Sequence, residues 1–513
     1  MSKSKHQWQQ EDRDKLLTYN TLDSCGTARV ARTIVQDEHF KTERVQKLLW
    51  YHEQMSHIGA EMHSTGFQVY EEGRKALLKD LRTLSTRRAN ELLAHVGGSK
   101  RNPGFDKVND NNMRAMLYKR HAKPGIQCYE VEEPEPWDDA MWTNEERDTL
   151  AVDREALMRI FINPAHEEEV RELVSLFWRA KAPGKAITTW VGPTNSKGEP
   201  SEVQQHIGED GRMRADWNSA ATETMRWASA LMTLPEAKDD GQLGGRLPNI
   251  RNMYCATPGW MLKHWDWSQQ EIRMYYAVYQ DPALGAAIAS GNVYIYDARQ
   301  WFKPQLQQMF GAAWDTVNLK KEWKNGYRQT KVIHLGSQYL AGAAVIWVQG
   351  LMQDRTLKFH SVKVLNQAFH KTYAVSMAAA AEEHARVLRT GYSEGYLLGG
   401  RRYYPAPPPV TETCNYPIQR SAGEMGAIAM VGIWQDIKRE GLPARILTNE
   451  HDAGTLEFLP ERSVETALDD IIKKNTQGPW RIKGVDHMFP VDYHVGFTWA
   501  EACDDQSPKT ASY

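Results

Sequence analysis

Three short segments of the 513-residue sequence combine residue types that could handle a polyphosphate. In the first, the pattern from Met261 to Arg273 predicts a short strand running into Asp266. A helix should start near Ser268 and continue through Tyr275, Tyr276 and Val278 to a break at Gln280-Asp281-Pro282. A carboxylate at a strand end offers hard oxygen ligands for Mg²⁺, and the amides of the following helix start face an anion. The same acid would also suit an N-cap or a solvated loop. In the second segment Arg328, Lys331, Leu335 and Tyr339 fall on one helix face. Two cations and an aromatic there could hold a triphosphate and a base or sugar ring. An exposed basic face with a tyrosine at its apolar edge would have the same spacing. In the third, two apolar runs flank Asp452-Ala453-Gly454, which reads as a hairpin turn with His451 and Asp452 at its tip. An aspartate is also an ordinary turn residue.

The elements that position these segments must come from a chain long enough for about three or four folding units. Hydrophobic residues make up 41% and charged residues 25%, an ordinary globular balance that excludes a low-complexity or largely disordered chain. The net charge of −2 neither marks nor excludes a nucleic-acid partner, because charge is segregated along the chain. Residues 74–123 hold 13 Lys and Arg against four acids, whereas residues 130–172 hold 15 acids against four arginines. The basic block carries an apolar stripe of Leu77, Leu78, Leu81, Leu84, Leu92 and Leu93, with Arg74, Arg82, Arg87 and Arg88 able to reach solvent. It reads either as a solvated helix face or as an arm along a phosphate backbone. The acidic stretch, with Pro134 and Pro136, reads as a loop held away from a polyanion.

Pro183-Gly184 and the run from Val191 to Pro200 mark loops, and Pro405 to Pro409 is a rigid extended segment. The tail after Asp504 should fray. Helices should dominate 40–180 and 270–440. Cys25, Cys128, Cys255, Cys414 and Cys503 are scattered, without metal-ligand spacing, which argues against zinc or a disulfide framework and for a reducing compartment. No apolar segment follows Met1 and no long apolar run occurs, so the expectation is a cytoplasmic protein without a membrane partner.

Taken together and in order, the segments resemble the three polymerase motifs of family A (DNA polymerase I-like) DNA polymerases. Asp266-Trp267-Ser268-Gln269-Gln270-Glu271-Ile272-Arg273 is similar to the first motif, Asp-Tyr-Ser-Gln-x-Glu-x-Arg. Asp281 to Leu284 and Ser290 to Tyr294 resemble its continuation, Lys331 to Gly336 with Tyr339 the second motif, and His451-Asp452 the third. Gly400 to Tyr403, Asn415 to Gln419, Asp210 to Arg212, Thr222 to Arg226, Pro248 to Asn252, Met55 to Gly66 and Val495 to Ala502 add further ordered matches. The resemblance spans about residues 48–503.

This resemblance implies an α+β right-hand fold with an antiparallel palm sheet and helical fingers and thumb. The thumb would be 48–190, the palm 191–280 and 401–513, and the fingers 281–400. It implies a DNA-directed DNA polymerase using two Mg²⁺ ions, with Mn²⁺ as a substitute, and primer–template DNA and dNTPs as partners. Asp266 and Asp452 would hold the metal and, with Lys331, carry catalysis. Lys331, Arg328, Tyr339, Glu271, Gln269, Tyr294 and Leu335 would bind the dNTP, Glu271 excluding a 2′-hydroxyl. Arg226, Asn415, Gln419, His451 and Arg273 would contact the primer–template.

The sequence departs from the family pattern at several places. Trp267 replaces a Tyr, Met225 and Leu340 each replace a Gly, and Ala453 replaces the Glu after the motif aspartate. The family's arginine position four before the lysine is Tyr327, with Arg328 next to it, and Leu335 stands where Phe or Tyr is usual. Residues 17–27, with Tyr19 and Asp23, resemble the end of the 3′–5′ exonuclease domain, so 1–47 reads as its remnant. The expectation is a polymerase without intrinsic exonuclease, with a separate exonuclease subunit or replication accessory protein as a partner, and a phage source whose host cytoplasm is its location. Two other readings are a single-subunit RNA polymerase, against which Glu271 argues, and an inactive DNA-binding relative, against which Asp266, Asp452 and Lys331 argue.

Overall fold

The computed structural model describes residues 41–97, 102–131, 154–162, 166–195, 197–234, 246–351, 354 and 356–504. Tyr19, Asp23, Cys25, most of the 1–47 segment, Pro134, Pro136 and the tail from 505 lie outside them.

The N-terminal part is helical: α1 (Glu43–Thr65), α2 (Glu71–His95), α3 (Asp110–Leu117), α4 (Arg154–Ile162) and α5 (Glu168–Ala186). Strand β1 (Phe67–Val69) lies between β2 (Arg212–Met213) and β3 (Tyr254–Cys255) in a small antiparallel sheet. The stripe on α2 buries Leu77, Leu81 and Leu92 as its spacing predicts.

Two expectations fail here for a single reason. Arg88 is 2% exposed rather than solvent-facing, and Pro183-Gly184 continues α5 instead of forming a loop. Pro183 has no N–H to offer the carbonyl four residues back. That carbonyl, Arg179 O, accepts from Arg88 Nη1 at 3.0 Å, and Arg88 Nη2 donates to Arg246 O at 2.7 Å. A guanidinium from α2 therefore replaces the missing helix bond and ties α2 to α5. Arg74 also turns inward, to Glu71 at 2.7 Å and Val191 O at 3.0 Å. Arg82 and Arg87 do face solvent.

Past β3, strand β4 (Met261–Trp267) leads into the helices α6 (Gln270–Tyr279), α7 (Pro282–Ala289), α8 (Val293–Trp301), α9 (Lys303–Phe310), α10 (Leu319–Glu322) and α11 (Lys324–Gln338). Helices α12 (Ala343–Leu351), α13 (Phe359–Thr372) and α14 (Ala374–Thr390) follow, then the hairpin β5 (Tyr392–Glu394) and β6 (Arg401–Tyr403). The long helix α15 (Val410–Glu440) runs through the largest core cluster. Its buried Glu424 accepts from the N–H groups of Leu397, Leu398 and Gly400 and from Arg420 Nε, which fixes the turn between β5 and β6.

Strands β7 (Ala444–Asn449) and β8 (Ala453–Phe458), helix α16 (Arg462–Thr476), the hairpin β9 (Trp480–Ile482) and β10 (Val485–His487), strand β11 (Val491–Gly496) and helix α17 (Trp499–Ala502) complete the chain. The central sheet has the order β11-β4-β8-β7, antiparallel throughout. Side chains alternate faces along a strand. On β4 this sends Lys263, Trp265 and Trp267 one way and His264 and Asp266 the other. The first face packs on α16: buried Lys263 pairs with Glu465 at 3.3 Å and with Asp469, and Trp267 Nε1 donates to Thr476 O at 2.9 Å.

The β7–β8 turn is Glu450–Asp452, two residues earlier than the sequence suggested. Gly454 is already in β8 opposite Trp265, where an added Cβ would lie 2.2 Å from the indole. That glycine serves close packing, and His451 takes the left-handed turn position with φ of 73°. Among the described residues no helix is long and apolar enough to cross a membrane.

Candidate active site

The other face of the central sheet carries the carboxylates. Asp266, near the end of β4, pairs in register with Ala453 on β8 and with Asp492 on β11. Trp267 N–H donates to Asp452 O at 3.0 Å, which ties the β7–β8 tip to the end of β4. Within the tip, Asp452 N–H donates to Glu450 O at 3.0 Å and Glu450 N–H to Ala453 O at 2.8 Å. Asp266, Asp452 and Asp492 thus line one cleft of about 560 Å³. Directly opposed residues on antiparallel strands have Cβ atoms roughly 5 Å apart, and like charges there repel. Asp452 keeps contact with solvent, but the protein around it desolvates its carboxyl and pushes its pKa up. Its own backbone N–H and Arg226 oppose the shift, while Glu271 and Glu450 reinforce it. Glu450 is occupied by Arg251 at 2.8 Å and Thr448 at 3.0 Å.

The opposite wall comes from α6, α8, α10 and α11. It presents Gln269, Glu271, Asn292, Tyr294, Lys320, Tyr327, Lys331 and Leu335. Lys331 Nζ lies 5.8 Å from the Tyr294 ring centroid. Gln269 is held by backbone at both ends of its amide, donating to Gly291 O at 3.2 Å and accepting from Val293 N–H at 3.1 Å. Its neighbour contacts set the start of α8, and with it Tyr294. Glu271 Oε1 accepts from Gln419 Nε2 at 2.6 Å and from Tyr339 O–H. Burial, then the Glu271 charge, lifts the Tyr339 phenol well above its ordinary range, so it stays a donor.

The structure therefore gathers Asp266, Asp452, Lys331, Gln269, Glu271, Tyr294 and Leu335 on one cleft, and links Tyr339 and Gln419 to it through Glu271. Arg226 and His451 stand beside Asp452. Burial, then Arg226, lowers the His451 pKa to about 4, which keeps the imidazole neutral. His451 Nδ1 and Asn415 Oδ1 are buried atoms without a hydrogen-bond partner. Arg328 and Arg273 are not on the cleft wall, and Arg273 Nε donates to Ser268 O at 2.9 Å. Helix α15 presses so close to the Thr222–Arg226 turn that a Cβ on Gly423 would lie 2.1 Å from Thr224 O, which fixes where Arg226 sits.

Sequence reasoning missed Asp492, His494, Asn292 and Lys320. Asp492 and His494 alternate on β11 and face Asp266 and His264 through strand pairing, a relation that sequence order does not display. The two positions where the family pattern has glycine keep the glycine backbone: Met225 has φ of 65° and Leu340 φ of 58°.

A carboxylate-bearing antiparallel sheet facing a helical wall with a lysine is the arrangement of a right-hand polymerase, and the expected α+β fold is borne out. Residues 197–501 match the model of DNA polymerase family A, and the chain belongs to that family. It is 23% identical over 489 residues to the thermostable DNA polymerase I of Thermus thermophilus, covering 93% of this chain and 51% of that protein. To the thermostable DNA polymerase I of Thermus filiformis it is 27% identical over 307 residues, covering 58% of this chain and 33% of the relative. The chain therefore spans between about a third and a half of the length of these curated relatives. The fold is similar to the POL domain of Pol1 from M. smegmatis in complex with DNA primer-template and dNTP. The TM-score is 0.62 at 18% identity, over 88% of this chain and 70% of that one.

Proposed function

We propose that the protein is a template-directed DNA polymerase that adds dNTPs to a primer 3′-hydroxyl by metal-assisted phosphoryl transfer. The observation that carries this reading is the single cleft shared by Asp266, Asp452, Glu271 and Lys331. In this reading 48–190 is the thumb, 191–280 and 401–513 the palm, and 281–400 the fingers.

Mg²⁺ is commonly held by one or two carboxylates together with substrate phosphates, not by an all-protein cage. The donor set fits: Asp266 and Asp452 supply the carboxylates, and among the described residues no group of three or more His, Cys, Asp and Glu forms a cage. Two bound Mg²⁺ ions, or Mn²⁺ in their place, would lower the pKa of the primer hydroxyl and neutralise the phosphates and leaving pyrophosphate.

Lys331 directs its ammonium at the triphosphate and offers a proton to the leaving group. Tyr294 and Leu335 form the apolar floor under the sugar and base, and Tyr339 stacks near the nascent pair. Two donors hold the Glu271 carboxylate, so it cannot swing aside for a ribose 2′-hydroxyl. The orphaned His451 Nδ1, as the N–H tautomer, donates to the primer–template minor groove, whose acceptors are shared by all base pairs, and Asn415 donates there through its amide nitrogen. Gln419 and Arg226 flank them.

Primer extension on a defined template with dNTPs, and separately with rNTPs, tests this reading. Extension with dNTPs and little with rNTPs is expected. Failure to extend with either, or a preference for rNTPs, contradicts it.

A further inference from the structure

We infer that Lys320 is a second cation for the triphosphate of the incoming nucleotide, carried into the cleft by α10; this rests on the polymerase reading above. Lys320 lines the same cleft as Lys331, Asp266 and Asp452. That cleft has three aspartates and, on its helical wall, Glu271, and its only other ammonium group among the described residues is Lys331. One turn before Lys331, the cleft face of α11 presents Tyr327, an uncharged phenol that accepts from Asn292 Nδ2 at 3.3 Å. The helix bearing Lys331 therefore provides one cation to the cleft, and the preceding turn provides the second.

The position of Lys320 is built. Its neighbour Leu319 is fully buried in a small core with Ala298 and Leu306, which anchors α10 to α8 and α9. Asn318 O accepts from the N–H groups of Lys321 at 3.0 Å and Glu322 at 2.9 Å, closing the turn. Trp323 N–H then donates to Leu319 O at 3.1 Å and Tyr327 N–H to Trp323 O at 3.0 Å, so α10 runs into α11 without slack. Lys320 and Lys331 are thus carried by one packed unit that presents both to the same cleft. A lysine is a flexible point charge that follows phosphate oxygens without demanding a fixed fork geometry. Lys321, next in sequence, is exposed and off the cleft wall.

The test compares Lys320→Ala, Lys320→Arg and Lys321→Ala with the unmodified chain. Steady-state extension gives KM for dNTP and kcat, and a dideoxy-terminated primer–template complex gives the dNTP Kd without turnover. Loss of one charged contact to phosphate predicts about a tenfold rise in both KM and Kd for Lys320→Ala. Lys320→Arg should recover most of the affinity, and Lys321→Ala should match the unmodified chain. An unmodified chain that extends primers while Lys320→Ala keeps its KM and Kd overturns this inference alone. So does an equal effect of Lys321→Ala, which would mean a diffuse field. An unmodified chain that extends nothing overturns the polymerase reading and this inference with it.

Discussion

Asp492 stands directly opposite Asp266, one strand over, on the cleft face of the central sheet. Two carboxylates in that relation repel, and a stable fold carries such a cost where a cation or cationic ligand offsets it. Asp492→Asn should raise the stability of the metal-free chain by a few tenths of a kcal/mol. It should also reduce the extra stability that added Mg²⁺ brings. Thermal melting in EDTA and in Mg²⁺ checks both, and a lower melting temperature in EDTA would contradict the opposition argued here.

In the proposed reading, selectivity against ribose would rest on the Glu271 carboxylate, which has two donors on one oxygen. Glu271→Ala should raise relative rNTP use the most. Tyr339→Phe and Gln419→Ala each remove one donor and should raise it less, because the other still holds the carboxylate. Single-nucleotide incorporation with paired dNTP and rNTP gives the ratios. An unchanged ratio in Glu271→Ala would remove this role.

Leu340 is held at φ of 58° just after α11, where an L side chain is strained. At such a position glycine is favoured over alanine by about 1 kcal/mol. Leu340→Gly should therefore melt higher than Leu340→Ala, and the reverse order would mean that the backbone relaxes away from this conformation.

The Arg88–Pro183 relation makes a double-mutant prediction. Arg88→Ala leaves Arg179 O without its donor inside the helical part and should cost about 1–3 kcal/mol. Pro183→Ala restores an N–H four residues on, so the same Arg88→Ala change in that background should cost less. Additive effects in chemical denaturation would show that the guanidinium does not stand in for the helix bond.

These cases also show what sequence could and could not display. The strand into Asp266, the helix after it and the 331–335 helix face were legible because each is a local pattern with a fixed period. Arg88 was misread because charge predicts solvent only when no buried carbonyl needs a donor, and that need arose from a proline 95 residues later. Gly454 looked like a turn residue because glycine signals both turns and close packing, and only the Trp265 ring across β4 separates the two. Asp492 and Lys320 were missed since one depends on strand pairing and the other on how α10 is anchored. Arg328, chosen for its spacing from Lys331, lies off the cleft wall because Tyr327, one residue and about 100° away around the helix, takes the place on that wall, and Arg273, chosen from its motif, turns back to Ser268 O.

The central claim is that Asp266 and Asp452 jointly serve nucleotide addition. Single-turnover primer extension in Mg²⁺ by Asp266→Ala and Asp452→Ala, each checked for an unchanged melting temperature, tests it most directly. Both substitutions should abolish extension while the chain still binds primer–template. Near-normal turnover by either variant would contradict the account.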